Sequence, residues 1–448
     1  LGPFDFPAHL PSGHIIPALA TGNAIVFKPS EMAPAVGDFL ARLWRDAGLP
    51  LGVLEMVQGR AETGHQLALH PRVDGILFSG SYAVGRSLQE ELLDQPAKIL
   101  ALEMGGKNAM IVLGDAELDL AVSEAAISIC ATTGQRCSSL SRIFVENSRM
   151  EEFAARLSRV LAGVQIGAPL EPDVFMGPLI SRAAFERVMR YRGQAAAAGG
   201  ERVFRGEMDR LAPYIAPSLV RFQKTEQSHP YQREEIFGPE AALYPVAGLD
   251  AAIAAVNDAD YGLAASVMSR DRANFERCIG RIRTGVLNWN RGTIGASGAL
   301  PFGGAGRSGN DRPAGILSTV YCTYPQAHLE NDRGFDPDEL PEVGLSGWSR
   351  ALVNTAGTAL EADPTTGGAY LLSSFCDGSG AVGAPSVPCT TSRLTAYWSG
   401  SWFLDPTPMS CAAIAESEES LASRRDHLHP QVTSELVEVM TIRVPEPA

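Results

Sequence analysis

Apolar residues in the first 330 positions alternate between short continuous runs and stretches with helical spacing. The run Ala24–Lys28 (AIVFK), closed by Pro29, predicts a strand. Val36, Phe39, Leu40, Leu43 and Trp44 then recur at helical spacing until Gly48 and Pro50 stop them. Val53–Val57 and Gly75–Phe78 predict two further strands, the second entering the turn Ser79-Gly80-Ser81 and a helix over Tyr82–Leu93. Ile99–Glu103 and Met110–Leu113 flank a Gly105-Gly106 turn as strands, and Leu118–Thr132 has the spacing of a helix. A second α/β stretch predicts strands at Ile143–Val145, Ala242–Val246 and Gly285–Asn288. Its predicted helices are Met150–Leu161, Arg182–Ala198, Leu249–Asn257 and Arg272–Arg283. Residues 317–325 (LSTVYCTYP) look like a late β-strand. Strands separated by helices imply crossover connections, and so an α/β fold with a largely parallel, doubly wound sheet.

The pattern fades beyond residue 335. Residues 335–448 carry 15 acidic residues against 5 basic ones, and no Lys. Stretches such as Asp363-Pro-Thr-Thr-Gly-Gly hold too few regular apolar positions to offset ordering entropy, so this tail is expected to be disordered or irregular. Trp398, Trp402, Phe403 and Leu404 form a small apolar cluster there, and residues 432–444 have the makings of one strand. Overall the 448 residues carry a net charge of -14, which argues against a nucleic-acid surface. No apolar run reaches the roughly 20 residues of a membrane span, and no signal peptide opens the chain. Seven Cys are too sparse for a disulfide scaffold, so a reducing, cytoplasmic setting is expected. Residue 1 is Leu, which suits a processed chain, an unusual start or a fragment.

Four short segments carry candidate chemistry. Phe78-Ser-Gly-Ser-Tyr-Ala-Val-Gly85 lies at a strand-to-helix junction, where Gly80, Ser81 and Gly85 would let backbone N–H groups approach a pyrophosphate. An ordinary strand–turn–helix would read the same way. In Phe27-Lys-Pro-Ser-Glu31, Lys28 and Glu31 are placed to hold the two hydroxyls of a ribose, or simply to be surface charges. Glu103 ends an apolar strand, where burial would raise its pKa and suit it to act as a general base. Cys137, in Gly134-Gln-Arg-Cys137, has Arg136 beside it, and a neighbouring cation with a local helix dipole would favour the thiolate. Cys130, Cys278 and Cys322 lie in apolar runs and read as core residues. No metal site is expected, since no CxxC or HxxxH pair occurs, and His9 and His14 read as loop or helix-start histidines.

In order and spacing these segments resemble the aldehyde dehydrogenase superfamily over about residues 1–328. The matching pieces are Pro3-Phe-Asp-Phe-Pro7, Lys28-Pro-Ser-Glu31, the F-x-G-S-x-x-x-G turn, Glu103-Met-Gly-Gly, Gly134-Gln-Arg-Cys137, Glu234-Glu-Ile-Phe-Gly-Pro239 and Pro301-Phe-Gly-Gly. Residues 6–17, 98–106, Val286-Leu-Asn-Trp-Asn290 and Ser308-Gly-Asn-Asp-Arg-Pro313 are similar to the superfamily's succinylglutamate-semialdehyde branch, which serves arginine catabolism. The resemblance implies a partial NAD-binding domain over 1–105 and a catalytic domain over 106–310. It implies a return segment and oligomerisation strand over 311–330, and likeness ends before the tail at 335–448. It also implies a homo-oligomer, a small-molecule aldehyde substrate and NAD as cofactor. Cys137 would attack the aldehyde and Glu103 would activate water to release the acid. Lys28 and Glu31 would hold the adenosine ribose, Ser81 the pyrophosphate, and Glu235 with Phe237 the nicotinamide ribose and ring. For an acidic substrate, Arg136, Arg142, Arg291 and Arg312 are the candidate cations.

The chain departs from that pattern in two further ways. The family's oxyanion-hole Asn falls at Asp5, where an ionised carboxylate would repel a developing alkoxide. The family also places a substantial segment ahead of the P-x-N-F-P strand, so the chain reads as a fragment. Three alternatives follow: another semialdehyde dehydrogenase, a catalytically impaired cofactor-binding member of the superfamily, and a thiol esterase.

Overall fold

A computed structural model describes residues 1–327, apart from 210, 296 and 325, together with the backbone of Ala369–Leu371 and Leu394–Ala396. The chain divides into two compact units, Leu1–Thr323 and Tyr324–Ala448. The first unit opens with helix α1 (His9–Ala20), strand β1 (Ile25–Phe27), α2 (Pro34–Asp46), β2 (Leu54–Met56) and α3 (Ala61–Leu69). Then come β3 (Gly75–Gly80), α4 (Tyr82–Glu91), β4 (Ile99–Met104), β5 (Asn108–Val112), α5 (Leu118–Cys130) and β6 (Leu140–Glu146). The next stretch holds α6 (Met150–Ala162), α7 (Arg182–Ala197), β7 (Glu201–Arg205), β8 (Ser218–Arg221), α8 (Pro230–Arg233), β9 (Glu240–Val246) and α9 (Leu249–Asn257). The unit closes with β10 (Tyr261–Gly262), β11 (Ala264–Met268), α10 (Arg272–Glu276), β12 (Val286–Trp289), β13 (Ala305–Gly306) and α11 (Ser318–Tyr321).

A seven-stranded sheet in the order β12-β11-β5-β6-β9-β8-β7 forms the centre, parallel throughout except for the β7–β8 pair. Helices cover both faces, so its inner strands are apolar without alternation. Ala109 and Ile111 of β5 and Phe144 of β6 point to the side packed by α7 and α9. Met110, Val112, Ile143 and Val145 point to the side packed by α5 and α6. Two parallel pairs stand apart from this sheet, β1 with β2 and β3 with β4. In the second unit, Leu394–Ala396 pairs antiparallel with both Gln326–Ala327 and Ala369–Leu371.

The α/β expectation holds, with local corrections. Among the described residues of 317–325, Ser318–Tyr321 is a helical turn and not a strand, and the Ser318 hydroxyl donates to the Gly13 carbonyl of α1. The helix from Leu118 stops at Cys130, because Thr132 and Thr133 adopt left-handed φ of 54° and 58°. The helix from Arg272 stops at Glu276, and Gly280 turns the chain at φ 74°. Helix α1 escapes sequence reading because Gly13, Pro11 and Pro17 lie inside it. Cys130 and Cys278 are 0% exposed as expected of core residues, whereas Cys322 is only half-buried. The cluster at 398–404 and the strand expected at 432–444 lie outside the described residues.

Candidate active site

A cavity of about 770 Å³ runs along the carboxyl ends of β1, β3 and β4. Lys28, Ser30 and Glu31 line it beyond β1, Gly80 and Ser81 beyond β3, and Glu103 with Gly105 beyond β4. Asp5, Cys137, Glu235 and Phe237 also line it. Nine of the ten sequence-predicted site residues thus share one wall. The tenth, Gly85, lies behind it: a Cβ there would come within 2.4 Å of the Met104 sulfur, so this glycine serves helix–strand packing rather than the cavity.

Each position follows from local structure. Ser79 of β3 is in register with Glu103 of β4, which puts the helix-entry turn and the candidate base side by side. Ser81 caps α4, its hydroxyl accepting from the Val84 N–H at 3.4 Å. The edge of β4 is closed by a side chain: Asn310 accepts from the Leu102 N–H at 2.9 Å and donates to the Leu100 carbonyl at 2.7 Å. Cys137 sits in a turn after the left-handed residues and Gly134. A Cβ on Gly134 would lie 2.4 Å from Gly238 backbone, so only glycine admits the 234–239 loop this close. Asn108 holds the cysteine's main chain, donating to the Cys137 carbonyl at 2.7 Å and the Ser139 carbonyl at 2.8 Å, while its own oxygen accepts from the Ala264 N–H. Neither Asn108 nor Asn310 was marked by sequence reading. The available signal was a lone amide heading an apolar run, visible only for Asn108.

The electrostatics overturn one expectation. Burial pushes the Cys137 thiol well above its usual value, and the nearby charges of Asp5, Glu235 and Glu103 push in the same direction. The site therefore favours the neutral thiol, not a resting thiolate. No helix begins at Cys137, and the Arg136 guanidinium lies on the face of Phe6, 4.3 Å from its ring centroid.

All three carboxylates are also raised. Burial lifts Asp5 from its ordinary 3.8 to about 7, opposed by backbone N–H groups of Asp5 and Cys137 and by the Arg136 charge. Burial lifts Glu103 well above the usual carboxylate range, although the Ala314 N–H donates to its Oε1 at 3.2 Å. Its Oε2 is sealed from solvent with no partner among the described residues. Glu235 rises to about 7 by burial, with its Oε1 accepting from the Gly106 N–H at 2.9 Å. A Cβ on Gly105 would fall 2.0 Å from its carboxylate, which is why the turn carries glycine. Phe237 takes a left-handed φ of 59° and packs edge-on against Phe4.

Two of the four candidate cations are committed elsewhere. Arg142 is buried and donates to the carbonyls of Lys107, Ala255 and Val256, so it is a structural residue and not a substrate contact. Arg312 is exposed and donates to the Leu100 carbonyl at 3.3 Å, away from the cavity. Arg291 is exposed, and neither it nor Arg136 is among the residues lining the cavity. Among the described residues, no group of three His, Cys, Asp or Glu side chains is placed to hold a metal, and no helix is long and apolar enough to cross a membrane.

The cavity suits a dinucleotide. Lys28 and Glu31 form an ion pair at 3.3 Å at one end, a capped helix start lies midway, and a cysteine with an unpartnered acid lies at the other. This is the arrangement of an oxidoreductase. The family model for the aldehyde dehydrogenase family matches residues 1–326. An N-succinylglutamate 5-semialdehyde dehydrogenase of Burkholderia thailandensis is 41% identical over 332 residues, 74% of this chain and 68% of the relative. Among solved structures, an NAD-dependent aldehyde dehydrogenase from Sinorhizobium meliloti superposes with TM-score 0.68 and 34% identity, covering 71% of this chain and 63% of that one. A Mycobacterium tuberculosis aldehyde dehydrogenase complexed with NAD+ gives TM-score 0.68 and 33% identity, covering 72% and 66%. The chain thus spans about two thirds of the length of these relatives. Its class is that of NAD(P)-dependent oxidoreductases acting on aldehydes. The chain belongs to the aldehyde dehydrogenase family.

Proposed function

We propose that the chain oxidises N-succinylglutamate 5-semialdehyde to N-succinylglutamate with NAD, using Cys137 as nucleophile and Glu103 as general base. Residues 1–105 would hold the cofactor and 106–310 carry the chemistry. The observation that carries the reading is a partly exposed thiol and an unpartnered buried carboxylic group facing one dinucleotide-sized cavity.

Because the thiol rests protonated, attack on the aldehyde carbon must transfer its proton. Glu235, with a pKa raised to about 7, is the acceptor on the cavity wall. The backbone N–H of Cys137 and a protonated Asp5 can both donate to the oxygen of the thiohemiacetal. NAD, when bound, supplies the hydride acceptor that leaves a thioester on the sulfur. Glu103 in its ionised form then takes a proton from water, the hydroxide adds to the thioester, and the acid departs as that proton passes back to the Cys137 sulfur. Glu31 favours NAD over NADP, since a carboxylate facing the adenosine ribose repels a 2′-phosphate. Family likeness also supports a homo-oligomer working in the cytoplasm, and the net charge of -14 disfavours a nucleic-acid partner.

NADH formation with the semialdehyde, set against Cys137→Ser, tests the reading. Turnover by the parent that is abolished in the variant supports it. Equal turnover in both would end it. A parent unable to oxidise any aldehyde, yet retaining NAD, would favour the cofactor-binding alternative that Asp5 suggests. Release of ester products without NAD would favour the esterase.

A further inference from the structure

The structure assigns Arg136 as the group that recognises a carboxylate on the aldehyde substrate and so sets a preference for acidic aldehydes. The assignment rests on Cys137 being the nucleophile.

Arg136 precedes that cysteine, and its guanidinium lies over the ring of Phe6, 4.3 Å from the centroid, with Phe6 following Asp5 in the chain. A cation–π contact holds a guanidinium without consuming its N–H donors, so a fork remains for a planar anion. Among the described residues the Arg136 side chain makes no ion pair and no hydrogen bond, and its Nε is sealed from solvent without an acceptor. Asp5 and Cys137 both act on its charge, which places it within electrostatic reach of the reacting sulfur.

Other cations around the site have at least one donor committed. Lys28 pairs with Glu31, Lys107 donates to the Tyr231 carbonyl at 2.7 Å, and Arg187 donates to the Glu235 carbonyl while its Nε has no partner among the described residues. Arg136 differs from them in adjoining Cys137 in the chain and in having no side-chain hydrogen bond among the described residues. The corner has an electrostatic need for it, because Asp5, Glu103 and Glu235 all surround the sulfur. An anionic substrate entering that corner is repelled unless a cation compensates, and an arginine fork matches a carboxylate with two parallel N–H···O bonds.

The test compares glutarate semialdehyde with pentanal, which share a carbon count and differ in the remote carboxylate. Arg136→Gln is expected to raise KM for glutarate semialdehyde roughly 10- to 100-fold while kcat changes far less. Pentanal kinetics are expected to shift by less than about 3-fold, and Arg136→Lys to recover part of the loss on the acid. Equal losses on both aldehydes, or no loss on the acid, would overturn the assignment. A parent that oxidises neither aldehyde defeats the functional reading instead. The assignment is then read by glutarate protection of Cys137 against iodoacetamide. Protection in the parent that is lost in Arg136→Gln supports it, and protection unchanged in the variant, or absent from both, overturns it.

Discussion

The two halves of the first unit are buried to different degrees. In the seven-stranded sheet, Met110, Ile143, Phe144, Val145 and Leu243 are all 0% exposed, and the strands are covered on both faces. In the half that carries Lys28 and Ser81, two separate strand pairs rest on small clusters around Ile15, Phe27 and Leu40 and around Ile76, Phe78 and Leu88. Phe39 is 60% exposed there and Leu93 75%. The difference teaches where rigidity is placed. Asn108 and the Gly134 turn tie Cys137 to the densely packed sheet, whereas the wall carrying Lys28 and Ser81 rests on smaller apolar clusters and is expected to open more readily. Asp5 comes from the thinner half and reaches across to the Cys137 N–H, so the site straddles the seam.

Truncation in the dense half should have the largest effect on stability. Phe144→Ala is expected to cost about 3–5 kcal/mol in denaturant unfolding, against roughly 2 kcal/mol for Leu54→Ala in β2. Equal costs would break the contrast.

Asp5 sharpens it next. A protonated Asp5 donates and an ionised one repels, so oxidation should fall as pH rises through about 7. Asp5→Asn keeps its donor at every pH and is expected to exceed the parent by about 10²–10³ in kcat above that point. The folded chain holds the Asp5 proton more tightly than the unfolded chain, so its ionisation costs stability as pH rises from 3.8 towards about 7. The variant should therefore also be the more stable protein in alkaline buffer. Matching pH–rate profiles for variant and parent would remove Asp5 from the mechanism.

The smallest effect is expected at the helix cap. Ser81→Ala should lose about 1 kcal/mol, read as faster amide hydrogen exchange in α4 with exchange in β5 and β6 unchanged. Spread of the effect into the large sheet would show that the two halves open together.

What the sequence revealed follows the same division. The continuous apolar runs of β5, β6 and β9 are legible because burial on both faces leaves no polar positions to confuse the period. Glu103 is legible because it lies at the end of such a run beside glycines, and Cys137 because it follows a helical stretch and a glycine turn. The surroundings are not, since they come from distant segments. Asn310 mimics a strand at the edge of β4 from more than 200 residues away, and Ala314 donates to Glu103 from the same loop. The thiolate expectation failed for a related reason. Arg136 is adjacent in sequence, but the three carboxylates that raise the thiol are adjacent only in space. Arg142 reads as a free cation until its three carbonyl partners are seen. Residues 317–325 carry β-branched and aromatic side chains, which is why they read as a strand, yet packing against α1 selects a helical turn at Ser318–Tyr321.

The proposed chemistry divides the labour between two side chains: the sulfur of Cys137 takes the acyl group and the Glu103 carboxylate brings in the water that releases it. Rapid mixing of Glu103→Gln with NAD and the semialdehyde tests this most directly. A burst of NADH close to the enzyme concentration, followed by stalled turnover and an acyl adduct on Cys137 by mass spectrometry, is the predicted result. Steady turnover at the parent's rate, with no adduct, would contradict it.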